Sequence, residues 1–275
     1  MVDGVLVLVP APAGLLRGDG LSHFVTVGPA ALALLHGSTD SDPLVRHLEW
    51  RSIWGQAHWG DRVQLIDGEG TLDAPFGFEA FVPWLRSLPL AEHTVDLGCG
   101  FGRAAVELPA HEVVALDLAF DALRMARSLS AGEAVRLAVR QHGRHYRWAT
   151  VAGRAAPHVR WICADILDPP LVPESFDRVV SLNTLDSVSD PSVAVSVIQR
   201  LCAPGGEVIV GSPFAWQSHL TPDDERPEGD PVAWLLACFG EGWTVLETRE
   251  IPWWLPRDGR SSLTYRSFVL RARKG

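Results

Sequence analysis

The sequence predicts an α/β fold, a Rossmann-like, doubly wound and mostly parallel sheet with helices on both faces. Two observations carry that expectation. From residue 93 onward, apolar runs of strand length alternate with segments of helical length, the pattern of parallel strands joined by helices. Within it, Val95-Asp-Leu-Gly-Cys-Gly-Phe-Gly-Arg103 reads as a strand that ends in a glycine turn and opens a helix, and Asp117 closes the next apolar run, His111 to Asp117. A glycine turn at a strand's carboxyl end, with a ribose-reading acid about 20 residues later, is how doubly wound sheets hold a nucleoside cofactor.

The elements follow in order. Phe78 to Leu88 predicts a helix leading into the sheet, with Pro83 limiting its length. Strands are expected at about 93–98, 111–117, 159–163, 176–182 and 206–212, with helices near 103–109, 120–130 and 191–202. Asp190-Pro191 and Asp230-Pro231 each open a helix, because Asp is a good N-cap and Pro suits the first helical position. The second of these stops at Gly240. Two last strands are expected over Trp243–Ile251 and Thr264–Ala272. Between Val135 and His158 lie Arg136, Arg140, Arg144, Arg147 and Arg154, with no acid from Ala134 to Ala164. This segment is read as a solvated helix and loop, the alternative being contact with an anionic acceptor or peptide. His142-x-x-His145 lacks a Cys, Asp or Glu nearby, so no metal site is expected.

Residues 1–75 carry no strong motif. They hold apolar alternation (Val5 to Val9, Phe24 to Val27), a helical run from Pro29 to Leu35, and an aromatic stretch of Trp50, Trp54, His58 and Trp59. Trp50 and Trp54 share a face if helical. Gly68 to Gly77 is a Gly-bearing polar connection, which divides the chain into an N-terminal cap or substrate-recognition region, 1–75, and a cofactor domain, 76–275.

Composition narrows the function. A net charge of −9 disfavours nonspecific binding to nucleic acid phosphates. The apolar start is short, carries Asp3 and lacks a basic region, so neither a signal peptide nor a membrane anchor is expected. Cys99, Cys163, Cys202 and Cys238 have no C-x-x-C spacing and read as buried thiols of a cytoplasmic protein.

The glycine order selects the cofactor. The dinucleotide fingerprint is G-x-G-x-x-G, whereas here Gly98, Gly100 and Gly102 alternate, with Asp96 two residues before the first. This resembles the first motif of class I S-adenosylmethionine-dependent methyltransferases of the type 11 kind. Further motifs stand in family order: Val159 to Ile166, an apolar run ending at Asp165; Ser175 to Asp186; and Cys202-Ala-Pro-Gly-Gly206 before Glu207 to Ser212. The resemblance implies a seven-stranded sheet, an antiparallel hairpin at one edge and a small N-terminal α+β cap. It also implies S-adenosylmethionine as cofactor. Gly98, Gly100 and Gly102 would form the turn against its amino-acid end. Asp117, with Leu118 beside it, would take the ribose hydroxyls. Asp165 and the Ile166 backbone would face adenine, and Asn183 the methionine amino group. Asp96 would order the turn.

The acceptor side is marked more thinly. Ser212-Pro-Phe-Ala-Trp216-Gln-Ser-His219-Leu-Thr-Pro222, with Pro252 to Arg257, is similar to the methyltransferase domain of ovothiol-type enzymes. The Trp-Leu-Gly-Gly expected after Thr221-Pro222 is replaced by Asp223-Asp-Glu-Arg-Pro227, which puts the same substrate in doubt. The candidates are His219 and Tyr265 for catalysis, as base or orienter, and Trp54 and Trp216 for acceptor binding. The expected reaction is methyl transfer to a nitrogen or oxygen nucleophile of a small molecule, amino-acid derivative or modified peptide. Two alternatives stand beside it. In one, residues 1–75 bind a leader peptide, since their order of elements resembles the small PqqD-type recognition domain. In the other, the fold serves as a noncatalytic partner protein. Nucleic acid and membrane partners are not expected.

Overall fold

A computed structural model of the protein describes residues 1, 3–8, 43–66 and 77–275. In chain order the elements are β1 (Leu6–Val7), α1 (Pro43–Trp59), β2 (Val63–Leu65), α2 (Val82–Arg86), β3 (Ala91–Leu97), α3 (Arg103–Glu107), β4 (Ala110–Asp117) and α4 (Phe120–Ser130). There follow β5 (Val135–His142), β6 (His145–Val151), β7 (Val159–Cys163), β8 (Phe176–Leu182), α5 (Pro191–Leu201), β9 (Cys202–Ser212), α6 (Pro231–Cys238), β10 (Trp243–Asp258) and β11 (Ser261–Lys274).

The main sheet runs β1-β7-β4-β3-β8-β9-β11-β10. It is parallel except at one edge, where β11 lies antiparallel to both β9 and β10. The expected doubly wound sheet and edge hairpin are therefore present, with the two-residue β1 added at the far edge, parallel to β7. Val95, Leu97, Val113, Ala115, Leu116, Val179, Val180, Val208, Ile209 and Val210 are buried in these strands. Continuous apolar runs, rather than alternating ones, are what strands covered on both faces require. Each such Val, Leu or Ile side chain contributes roughly 1.5–3 kcal/mol on burial. The helix caps read from sequence are formed: Asp190 accepts from the Val193 N–H at 2.9 Å and Asp230 from the Val232 N–H at 3.0 Å.

The chain builds β3, β4 and β7 outward on one side, then crosses to place β8 on the other side of β3. This reversal opens a crevice at the strands' carboxyl ends, where doubly wound sheets bind ligands. At the opposite end, Arg178 is almost wholly buried. Its guanidinium donates to Glu207 at 2.5 Å, to the Pro109 carbonyl at 3.2 Å and to the Pro89 carbonyl at 2.7 Å, tying the strand entrances together.

One expectation is corrected. Val135 to His158 is not a helix and loop; it holds the β5–β6 hairpin, which joins β2 in a separate three-stranded sheet. Leu137 and Val139 on β5, with Ala149 and Val151 on β6, are buried in the main core cluster. Of its arginines, Arg140 pairs with Glu49, and Arg154 with the buried Glu107. His142 and His145 end the hairpin with their rings stacked at 5.2 Å. The expected strand at 24–27, the helix at 29–35 and the connection at 68–76 lie outside the described residues. All four cysteines are free thiols, three of them buried. Among the described residues no helix is long and apolar enough to cross a membrane.

Candidate cofactor and acceptor site

The glycine turn is locked by the neighbouring strand. After β3 ends, the N–H groups of Gly98 and Cys99 both donate to the Leu116 carbonyl, at 2.8 and 3.0 Å. The Asp117 carboxylate then accepts from Gly100 N–H and from Ala119 N–H, each at 2.7 Å. So the acid that closes β4 also fixes the turn after β3. Gly98 (φ +74°) and Gly102 (φ +76°) sit in the left-handed region. A Cβ at Gly98 would lie 2.3 Å from the Thr184 methyl carbon, and one at Gly102 would lie 2.4 Å from the Trp161 ring. The glycines therefore answer first to protein packing.

A cavity of about 510 Å³ opens at the carboxyl ends of the parallel strands. Of the residues expected to hold the cofactor, Gly98, Gly100, Asp117, Leu118, Asp165, Ile166 and Asn183 line it. Asp165 accepts from the Leu167 N–H at 2.9 Å, which folds the chain back just beyond β7. Asn183, at φ +56°, accepts the Ser267 hydroxyl at 2.6 Å, and its own N–H donates to the Gly211 carbonyl at 2.7 Å. Its amide Nδ2 is buried with no partner in the protein. A buried donor without an acceptor is costly, and a ligand acceptor at the carboxyl end of β8 would satisfy it. The volume and this orphaned donor both fit a nucleoside cofactor with an amino-acid tail.

Two expected cofactor residues stand outside the cavity lining. Gly102 opens α3 beneath Trp161. Asp96 is 1% exposed, and its carboxyl is pushed up to about 7, by burial first and by the Asp117 charge second, while an Ala105 N–H hydrogen bond pulls it back. Its Oδ2 has no partner. Asp96 therefore supports the turn from within the core.

The acceptor candidates divide similarly. Trp54 and His219 line the cavity, whereas Trp216 and Tyr265 do not. Trp216 packs against Phe214, with ring centroids 5.9 Å apart. Tyr265 stacks behind Trp253 at 6.1 Å, and its phenol is pushed up by burial and then by the Asp186 charge. Asp186 itself is raised to about 6 by burial, and it accepts the Ala215 N–H at 3.0 Å, ordering the loop that carries His219.

The residue that sequence reasoning left unassigned is His58. It lines the cavity and stacks on Phe78 at 5.3 Å and 12°. It stands over the glycine turn, since a Cβ on Gly100 would come within 3.1 Å of its Nε2. Burial, and then the charge of Arg103, lower its pKa to about 3, so the imidazole is neutral at ordinary pH. Its Nδ1 is buried and without a partner. The spacing of Trp50, Trp54 and His58, four residues apart on one helical face, was the available signal. All three rings meet the cavity because α1 and the turn that follows it are each fastened to the core. Arg51 grips Asp121 of α4 at 2.8 and 2.6 Å, and Arg103 of α3 grips Asp61 at 2.7 and 2.8 Å.

Residues 95–210 match the family described as "Methyltransferase domain". The ubiquinone biosynthesis O-methyltransferase of Sodalis glossinidius (strain morsitans) is 27% identical over 156 residues, 56% of this chain and 49% of that protein. The chain thus spans about half the length of the curated relative it matches. Among solved structures, the N-methyltransferase NodS from Bradyrhizobium japonicum WM9, in complex with S-adenosyl-L-homocysteine, shares the fold. Its TM-score is 0.50 at 19% identity, over 74% of this chain and 89% of that one. The matched segment, residues 95–210, contains both the glycine turn and the point where the sheet reverses its strand order, so this part of the chain is similar to that methyltransferase family.

Proposed function

We propose that the protein transfers the methyl group of S-adenosylmethionine to a nitrogen or oxygen nucleophile of a small molecule, an amino-acid derivative or a modified peptide. The observation that carries this reading is one shared cavity. It joins the glycine turn, Asp117, Asp165 and the unpartnered Asn183 amide to the rings of α1. Asp117 would hold the ribose, Asp165 and the Ile166 backbone the adenine, and the Gly98–Gly100 turn with Asn183 the methionine end. Once bound, the cofactor supplies a methyl group already activated on a sulfonium.

The chain's own part is alignment and exclusion of water. Holding a nucleophile in line can supply roughly 7–11 kcal/mol in favourable cases, without any general base. The carboxylates of Asp117 and Asp165 favour a cationic ligand, and the neutral His58 does not repel one.

The test is release of S-adenosylhomocysteine from S-adenosylmethionine in the presence of imidazoles, phenols, amines and amino-acid derivatives. Acceptor-dependent release, with the product gaining one methyl group, is the expected result. A folded protein that binds the cofactor yet turns over none of these acceptors would favour the noncatalytic reading instead.

A further inference from the structure

Building on the methyltransferase reading above, we infer that the acceptor is a planar aromatic or heteroaromatic compound without anionic groups. It lies on a wall of rings from α1, Phe78 and β10, and its nucleophilic O–H or N–H donates to His58.

The wall is continuous. Trp50 meets Phe101 at 5.2 Å, Phe101 meets His58 at 5.9 Å, and His58 meets Phe78 at 5.3 Å. On its other side His58 meets Trp54 at 6.5 Å, and Trp54 meets Trp253 at 5.8 Å. Trp50, Trp54, His58, Phe78, Phe101 and Trp253 all line the cavity. Ring faces present apolar area with a negative quadrupole, which suits another planar ring or a cation and offers an anion nothing.

Charge points the same way. Among the described residues that line the cavity there is no Lys or Arg, while Asp117 and Asp165 are both present. A carboxylate or phosphate on the acceptor would be desolvated near like charge without a counter-ion.

Two polar atoms set in this wall lack partners. Trp253 is 2% exposed, and its indole N–H has no acceptor in the protein. The buried Nδ1 of His58 is likewise unpartnered. A neutral imidazole offers one donor and one lone pair, so it can accept the hydrogen of a phenol or ring N–H and turn that atom's own lone pair toward the methyl carbon. In the transfer, that lone pair forms the new bond to carbon as the C–S bond breaks and leaves its electron pair on sulfur. The proton shed by the acceptor passes to water, because His58 is too weak a base to keep it. His58 is thus a positioning residue, and Trp253 a donor to a polar substituent on the ring.

The test uses the full chain saturated with S-adenosylhomocysteine, whose own affinity is first measured by calorimetry. Matched probes are then compared by ligand-observed NMR: 2-naphthol with 2-naphthoate, indole with indole-3-carboxylate, and 2-naphthol with 2-methoxynaphthalene. The uncharged member of each acid pair is expected to bind at least tenfold tighter. Trp54→Ala should weaken the neutral rings about tenfold while S-adenosylhomocysteine affinity stays within twofold. His58→Phe keeps the stacked ring, so it should erase the preference for 2-naphthol over its methyl ether and leave ring binding itself intact. Three results would overturn the inference: carboxylates binding as well as neutral rings, no ring compound binding the saturated protein, or variants that change neither comparison. Failure of S-adenosylhomocysteine to bind the wild type is a different outcome, which removes the methyltransferase reading itself and this inference with it.

Discussion

The indole N–H of Trp59 donates to the carbonyl of Phe101 at 2.7 Å, and this bond joins the end of α1 to the middle of the glycine turn. Both side chains are fully buried, and the Arg103 guanidinium lies over the Trp59 ring at 4.9 Å. Whatever moves α1 therefore moves the turn that lines the cavity, and His58 next to Trp59 moves with both.

Trp59→Phe tests this coupling. The smaller ring keeps most of the packing but leaves the Phe101 carbonyl buried without a donor, a loss of about 1–3 kcal/mol. Denaturant unfolding should show that loss. Calorimetry should show S-adenosylhomocysteine binding several-fold weaker, although Trp59 is not among the residues lining the cavity. Unchanged cofactor affinity in a destabilised variant would mean that the turn holds its shape without α1.

Gly102→Ala tests whether the third glycine serves packing. Its φ of +76° disfavours any side chain, and the new methyl would press on the Trp161 ring. The expected cost is about 1–3 kcal/mol of stability from overpacking. Trp161→Phe should recover part of it, by removing the ring atoms that the methyl meets. Stability equal to wild type would show that Trp161 can step aside freely.

Asp96 makes stability depend on pH in a defined direction. Its pKa rises from an ordinary 3.8 to about 7 on folding, so the folded protein holds a proton that the unfolded chain releases. Stability from this group is full below about pH 4 and is lost as pH climbs toward 7. Asp186, raised to about 6, acts in the same sense, while His58, lowered to about 3, acts in the opposite one. The informative quantity is thus the difference between wild type and Asp96→Asn. Chemical denaturation at pH 5 and pH 8 should show the variant gaining on the wild type at the higher pH. A constant difference across that range would contradict the shift.

The parallel sheet was legible because its signals are local. Val159–Cys163 and Phe176–Leu182 are apolar runs of strand length, and Phe120–Ser130 carries its apolar residues at helical spacing. Asp190 and Asp230 could be read as caps because capping is a property of three or four consecutive residues. The β5–β6 hairpin was misread because Arg136, Arg140 and Arg144 recur at helical spacing. The competing signal, Leu137 and Val139 alternating inward with a Gly143-Arg144 turn at φ +50°, was the one the fold obeyed. In the site, Gly98, Asp117, Asp165 and Asn183 follow from strand ends and could be named in advance. For His58 the sequence offered only its helical spacing from Trp50 and Trp54; its place over the glycine turn depends on α1 docking against residues more than 40 positions later, a tertiary event that spacing alone does not encode. Tyr265 and Trp216 failed in the other direction: aromatic residues near the mouth were expected in the cavity, and the structure packs them on Trp253 and Phe214.

The most direct measurement is calorimetric titration of S-adenosylhomocysteine into the wild type and into Asp117→Ala, with folding of both checked by circular dichroism. Asp117 lines the cavity and accepts from Gly100 and Ala119, so the substitution removes the proposed ribose contact and loosens the turn together. Micromolar binding to the wild type, weakened at least about 100-fold in the variant, is the predicted result, equivalent to roughly 2.7 kcal/mol or more. No binding to a folded wild type, or equal binding to both proteins, would contradict the assignment of this cavity to the cofactor.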